Sequence, residues 1–220
     1  KTDQAEERLF ADVKGWRISG QVDLQHTGTI SDYKLTSVWS FMSDKPAWEQ
    51  QLNCYAWLVR KAKGAKIDKL QIVCIMRDWA MRDLKTKDGY PPAPVQVVPI
   101  PVWSDDQQDK YVEERVGIHQ HAEMLSQMGA PLPECTGEDR WQRGDKWAVI
   151  KVGGKRATLL CDTEEAAKEA IATQLSTMYS KYEIQYRPGE PVRCVNNYCR
   201  VNQWCEQYRE FNAKKIEEML

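Results

Sequence analysis

No stretch of this chain is apolar for long enough to cross a membrane, and its first residues lack the charged, apolar and small-residue order of a secretion signal. A membrane anchor and an exported, disulfide-built scaffold are therefore excluded as first expectations. Low-complexity tracts and internal repeats are missing too, which excludes a solenoid. Charge of one sign is also lacking. The chain sets 31 Lys and Arg against 32 Asp and Glu for a net charge of −1, so no global basic field draws it onto a polyanion. With 220 residues it can bury one good core and carry an appendage.

What is there begins with two strand patterns. Trp16, Ile18, Val22 and Leu24 alternate with Arg17, Ser19, Gln21, Asp23 and Gln25, the period of a half-buried strand, and Thr29 to Thr36 reads the same way. A turn centred on Thr27-Gly28 pairs Gln25 with Ile30 and, by continuation, Asp23 with Asp32. Two carboxylates opposed on one face repel unless a cation lies between them. Lys34 shares that face, two residues after Asp32. Oxygen ligands suit magnesium or manganese, and such an ion makes hydroxide available near neutral pH. A nearby ammonium can hold the attacking water or offset charge growing on a phosphoryl oxygen. The set is suited to phosphodiester hydrolysis. The plainer alternative is a surface hairpin whose acids and lysine are simply solvated.

The context weighs against the plain alternative. Ser43, Asp44 and Pro46 start a helix that runs unbroken to Gly64, placing Gln51 and Tyr55 one turn apart on one face, where both can reach the same ligand. Lys69 to Trp79 reads as a central buried strand. Val95 to Trp103 reads as an edge strand because it carries two prolines. Ser104 then opens a long helix to about Met128, with Gln107 completing a capping box.

In this order, G-x-x-D (Gly20, Asp23), D-x-K (Asp32, Lys34) and Q-x-x-x-Y (Gln51, Tyr55) resemble the RecB-like exonuclease branch of the PD-(D/E)xK nuclease superfamily, over roughly residues 5 to 128. The resemblance implies an α/β, restriction-endonuclease-like core, a mixed central sheet flanked by helices, over residues 1–130. It implies a magnesium- or manganese-dependent deoxyribonuclease, an exonuclease more than an endonuclease, of phage or prophage recombination. Its partners would be single- or double-stranded DNA with a free end and a phage recombination partner. Asp23, Asp32 and the Tyr33 carbonyl would hold the metal, Lys34 would be the catalytic lysine, and Gln51 and Tyr55 would contact DNA near the cut. The family also has an acidic or histidine ligand on a helix before the first strand. Glu6 and Glu7 are the nearby candidates and Glu7 is the choice, with solvated helix positions as the alternative for both. The chain opens at Lys1 without a methionine, and the expectation is a fragment that lacks the family's first helix.

Seven cysteines without a secretion signal point to a reducing compartment, the cytoplasm of a bacterial host. Cys54, Cys74 and Cys161 fall in a helix and two strands, where small core residues are expected. Cys194, Cys199 and Cys205 form C-x4-C-x5-C, and Cys135 stands apart. Four converging thiolates would make a zinc site or an iron-sulfur cluster; the missing C-x2-C pair counts against zinc fingers, and unligated thiols remain an alternative. Several RecB-like nucleases hold a 4Fe-4S cluster with one distant and three clustered cysteines. The set here is similar, except that their distant cysteine precedes the core and Cys135 follows it. Residues 131–193 read as a ββαβ insertion: a hairpin turning at Gly153-Gly154, a helix begun at Asp162-Thr163 with a Glu165 capping box, and a strand from Tyr182 to Tyr186. The cysteine segment and a terminal helix occupy residues 194–220. A metal joining Cys135 to the later cysteines would clasp the base of the insertion.

Two basic sets, Arg60, Lys61, Lys63, Lys66 and Lys69, and Lys151, Lys155 and Arg156, could follow phosphates or form solvated faces. Among nine tryptophans, Trp39 or Trp48 could stack on an unpaired base, with packing as the alternative. Residues 85–94 read as a flexible loop that could border the site. The competing function is a nucleic-acid-binding protein that keeps the fold and thiolate site without hydrolysis.

Overall fold

The computed structural model describes residues 4–43, 46–175 and 181–217; Asp44, read above as part of a helix start, lies outside them. The chain forms two compact units, Lys1–Pro131 and Leu132–Leu220.

The first unit is built on a five-stranded mixed sheet of order β1-β2-β3-β4-β5, with β1 (Gln4–Val13), β2 (Trp16–His26), β3 (Thr29–Thr36), β4 (Lys69–Met76) and β5 (Val95–Ile100). Only β3 and β4 run parallel. Their connection holds α1 (Val38–Met42) and α2 (Pro46–Lys63); α3 (Met81–Leu84) follows β4, and α4 (Asp105–Gln127) follows β5. The expected α/β core with a mixed sheet and flanking helices is present.

Helix α2 lies on one sheet face. Leu52, Ala56, Leu58 and Val59 bury against Leu9, Val22, Ile30, Leu70, Ile72 and Cys74. Fully burying each large aliphatic side chain contributes about 1.5–3 kcal/mol. Gly64, at φ +63°, ends the helix in the left-handed conformation a β-carbon disfavours. Asn53 on α2 is buried but satisfied: its amide donates to the Glu49 and Pro101 carbonyls and accepts from the Trp103 N–H. On β4, burial falls on Leu70, Ile72, Cys74 and Met76, so the strand is buried on the α2 side only. On the other side Tyr33, Leu35, Ile75, Val95 and Val97 are exposed. Strand β5 is the sheet edge that Pro99 and Pro101 predict, although the strand ends at Ile100 and holds only Pro99.

The N-terminal segment corrects the sequence reading. Glu6 and Glu7 belong to strand β1 rather than to a helix. The hairpin to β2 turns at Lys14-Gly15, φ +48° and +78°, with Val13 opposite Trp16. That is a two-residue turn of the primed kind.

The second unit contains an antiparallel sheet of order β7-β6-β8, from β6 (Lys146–Lys151), β7 (Ala157–Cys161) and β8 (Tyr182–Arg187), together with α5 (Glu164–Thr173), α6 (Val192–Val195) and α7 (Glu206–Glu217). Val149, Cys161, Ala167 and Ala170 make its small core. Thr163 is the α5 N-cap and accepts from the Ala166 N–H, so the third helical position is Ala166 and the expected Glu165 capping box does not form. Among the described residues no helix is long and apolar enough to cross a membrane.

Asp109 of α4 ties α2 to α4, taking hydrogen bonds from Trp57 Nε1 at 2.8 Å and Arg60 Nη2 at 2.9 Å and an ion pair from Lys61 at 2.9 Å. Burial pushes its carboxyl up, but these donors together hold it down at about 2. A carboxylate whose folded pKa lies below the ordinary 3.8 stabilises the fold above that pH, and the contribution disappears as pH falls towards 2. Asp109→Asn is expected to lower unfolding stability at pH 7 by roughly 1–2 kcal/mol, a gap that closes on acidification when urea unfolding is followed at stepped pH.

Candidate active site

Strands β2 and β3 pair as the turn at Thr27-Gly28 requires: His26 opposite Thr29, Gln25 opposite Ile30, Leu24 opposite Ser31. There the ladder stops. Asp23 and Asp32 would be the next pair, but Asp23 Oδ2 accepts the Tyr33 backbone N–H at 2.9 Å, a carboxylate standing where a strand carbonyl would be. The N–H and C=O of one strand residue leave on the same edge, so the Tyr33 carbonyl turns towards that same gap.

Asp32 is 2% exposed. Its Oδ1 accepts from Gln51 Nε2 at 3.1 Å, and its Oδ2 lies 2.9 Å from Lys34 Nζ. Gln51 Oε1 accepts from Lys34 Nζ at 3.0 Å, and Nε2 also lies 3.0 Å from the Tyr55 hydroxyl oxygen. A single amide thus holds the carboxylate, the ammonium and the phenol in one network. Burial raises the Asp32 pKa most; Lys34 opposes the shift, and the nearby Asp23 charge adds to it. The structure therefore brings Asp23, Asp32, Tyr33, Lys34, Gln51 and Tyr55 to one place. Direct hydrogen bonding of Gln51 to Asp32 and Lys34 was not foreseen from sequence.

One atom is under-satisfied. Asp32 Oδ2 is buried and, among the described residues, accepts no aligned hydrogen bond despite the close ammonium. A buried anionic oxygen with an open lone pair, a second carboxylate and a backbone carbonyl form a donor set for a hard divalent cation. Magnesium, which keeps several waters, needs only one or two carboxylates. Among the described residues no three His, Cys, Asp or Glu side chains are grouped to hold a metal ion.

Glu7 does not join this set. It sits opposite Val22 on β1 and pairs with Lys63 at the last turn of α2. The helical rise puts that turn about 18 Å from Gln51. Four of the five basic residues at that end form ion pairs within the fold, Arg60 and Lys61 with Asp109, Lys63 with Glu7 and Lys66 with Asp68, and Lys69 is exposed. Lys151, Lys155 and Arg156 are exposed.

Gly20 has a role that the motif alone does not explain. A β-carbon there would lie 2.7 Å from Leu58 Cδ1 and 3.0 Å from Tyr55 Cε1, so its absence lets α2 approach β2 closely enough for Tyr55 and Gln51 to reach the site.

In the second unit Cys135, Cys194, Cys199 and Cys205 line one cavity of about 50 Å³, with Tyr208 and Phe211 among its other walls. Burial, and then the neighbouring cysteines, push the Cys194 thiol up; for Cys135 burial comes first and Asp139 second. The base of this region is already closed by polypeptide. Gln207 bonds the Cys135 N–H and carbonyl, and Arg193 N–H donates to the Arg140 carbonyl. Cys54, Cys74 and Cys161 pack as core residues.

Gly20→Ala is expected to push α2 off β2, costing roughly 1–3 kcal/mol in urea unfolding and broadening or shifting the Tyr55 ring signals in NMR spectra. Unchanged stability and Tyr55 signals would refute the close-approach account.

The family model for the PD-(D/E)XK nuclease superfamily matches residues 2–206, well past the nuclease core and across all four of these cysteines. No curated protein and no solved structure matches the chain. With the α/β core and motif residues in place and the match spanning most of its length, the chain belongs to the PD-(D/E)XK nuclease superfamily.

Proposed function

We propose that the protein is a magnesium- or manganese-dependent deoxyribonuclease that degrades DNA from a free end, an exonuclease serving phage or prophage recombination. The observation that carries the hydrolytic reading is the buried Asp32 carboxylate, with one oxygen lacking an aligned donor among the described residues, set beside Asp23 and Lys34. Asp23, Asp32 and the Tyr33 carbonyl would hold the divalent ion, which supplies Lewis acidity and a hydroxide source when bound. Lys34, steered by Gln51 Oε1, holds the attacking water and offsets the charge that grows on the phosphoryl oxygen as the new P–O bond forms and the P–O bond to the leaving sugar oxygen breaks. Gln51 orients Asp32 and Lys34 and bonds the Tyr55 hydroxyl, and Gln51 and Tyr55 together would contact the DNA near the cut. Seven cysteines suit a reducing compartment such as the bacterial cytoplasm.

The four cysteines around one cavity support a second cofactor, a 4Fe-4S cluster, with zinc as the alternative. The thiols share a cavity, yet no three such groups among the described residues are placed for a metal ion. The cluster reading therefore rests on the C-x4-C-x5-C spacing and the shared cavity, and not on a formed ligand set. Bound there, the cluster would reinforce a base the chain already closes with Gln207.

End-labelled duplex and single-stranded DNA are the substrates for the test. Manganese-dependent loss of label is expected, with Asp32→Ala and Lys34→Ala reducing it by at least about a hundredfold. Binding without cleavage would instead establish a non-hydrolytic DNA-binding protein. Protein purified without oxygen is expected to be brown and to absorb near 400 nm, and Cys194→Ala should abolish the colour; colourless, zinc-loaded protein would overturn the cluster.

A further inference from the structure

The parallel strands β3 and β4 end together, Thr36 opposite Met76, and Lys34 lies two residues, about 7 Å, before that end. The segments that leave it form a fixed rim. Helix α1 is capped twice, by the Ser37 side chain accepting from the Ser40 N–H and by Asp78 Oδ1 accepting from the Val38 N–H at 2.8 Å. Its inner residues Val38 and Phe41 pack with Met76, Trp79 and Tyr90. Residues 85–94, which composition reads as a flexible loop, are pinned to the same small core. Tyr90 is 9% exposed, its hydroxyl accepts from the Ala80 N–H, and Trp79 Nε1 donates to the Pro91 carbonyl.

From this rigid base α1 turns Trp39 outward, 76% exposed, with Met42 beside it at 53% and Met81 on α3 at 61%. Trp48, the other tryptophan flanking this connection, is half-buried and packs on the main core, which leaves Trp39 as the one displayed. Met42 reaches the loop, its methyl lying 3.8 Å from where a β-carbon on Gly89 would stand. Residues 77–90 contribute Arg77, Arg82, Lys85 and Lys87 against Asp78, Asp83 and Asp88. Asp78 accepts from the neutral Val38 amide and keeps its charge, and Asp83 pairs with both Lys87 and Arg82, so four cations against three carboxylates leave this segment a net charge of +1, with the Arg82 and Lys85 side chains at the surface.

A costly aromatic surface held on a stiff mount beside a phosphodiesterase site, edged by cations, fits one ligand chemistry. An indole face meets a base face only where the base has left its own stack, whereas phosphates meet cations in either form of DNA. We propose that the rim of Trp39, Met42 and Met81, with Arg82 and Lys85 on the phosphates, binds the unpaired end of a DNA strand and leads it to Lys34 and Asp32. The proposal rests on the nuclease reading for where the strand goes, but its binding step does not require cleavage.

The test measures affinity in chelator, where no hydrolysis occurs, for a labelled single-stranded oligonucleotide and for a fully paired, blunt-ended duplex of the same length. Wild-type protein and Asp32→Ala protein are both used as backgrounds. Trp39→Ala is expected to weaken single-strand binding about tenfold or more, Trp39→Phe to retain most of it, and duplex affinity to change less than about twofold. Melting temperature should be unchanged, because α1 is anchored through Val38 and Phe41. Arg82→Ala with Lys85→Ala should flatten the salt dependence of binding. Equal single-strand binding by wild type and Trp39→Ala would overturn the proposal. So would an equal loss on duplex, or an absence of DNA binding, which would point to a protein occupant. Trp39-dependent binding by a protein that never cleaves would sink the nuclease reading and keep the rim; cleavage indifferent to Trp39 would do the reverse.

Discussion

A carboxylate kept almost wholly out of water, beside a second carboxylate, is the constraint around which the first unit is organised. Asp32 would be expelled or protonated if nothing offset its desolvation. The chain offsets part of that cost with one amide and one ammonium, Gln51 and Lys34, and among the described residues leaves Oδ2 without an aligned donor. Other features follow from holding that arrangement. The β2–β3 ladder stops so that Asp23 can turn in on the Tyr33 amide, Gly20 carries no side chain so that α2 can come close, and β3 lies in the sheet interior so that Asp32 cannot move away.

Much of this was legible in the amino-acid order because it depends on local rules. The two-residue turn at Thr27-Gly28 sets the register as far as Leu24 opposite Ser31, which puts Asp23 and Asp32 next in line. The spacing of Gln51 and Tyr55 puts them on one helix face whatever the tertiary structure. Pro99 in β5, with Pro101 just past its end, marks an edge, and Ser104 with Gln107 marks the start of α4.

What escaped depends on contacts between distant segments or on a signal masked by composition. Strand β1 was hidden because Glu6, Glu7 and Arg8 obscure the alternation of Leu9, Ala11 and Val13; the Lys14-Gly15 turn was the available clue. Glu7 consequently looked free to serve as a ligand, whereas β1 pairing carries it to Lys63. Glycine and prolines made residues 85–94 read as loose, yet the burial of one aromatic, Tyr90, decides their conformation. Gln207 closing the base of the second unit on Cys135 is a contact between residues too far apart in sequence for any spacing rule to reveal.

The most direct test of the central claim is the melting temperature of the protein as manganese is titrated, for wild type and for Asp32→Asn. If the buried Asp32 carboxylate and the half-buried Asp23 beside it are built for a divalent ion, wild type should gain stability in proportion to the logarithm of manganese concentration above its dissociation constant, and Asp32→Asn should stay flat. Parallel shifts in the two proteins, or none in either, would contradict the account.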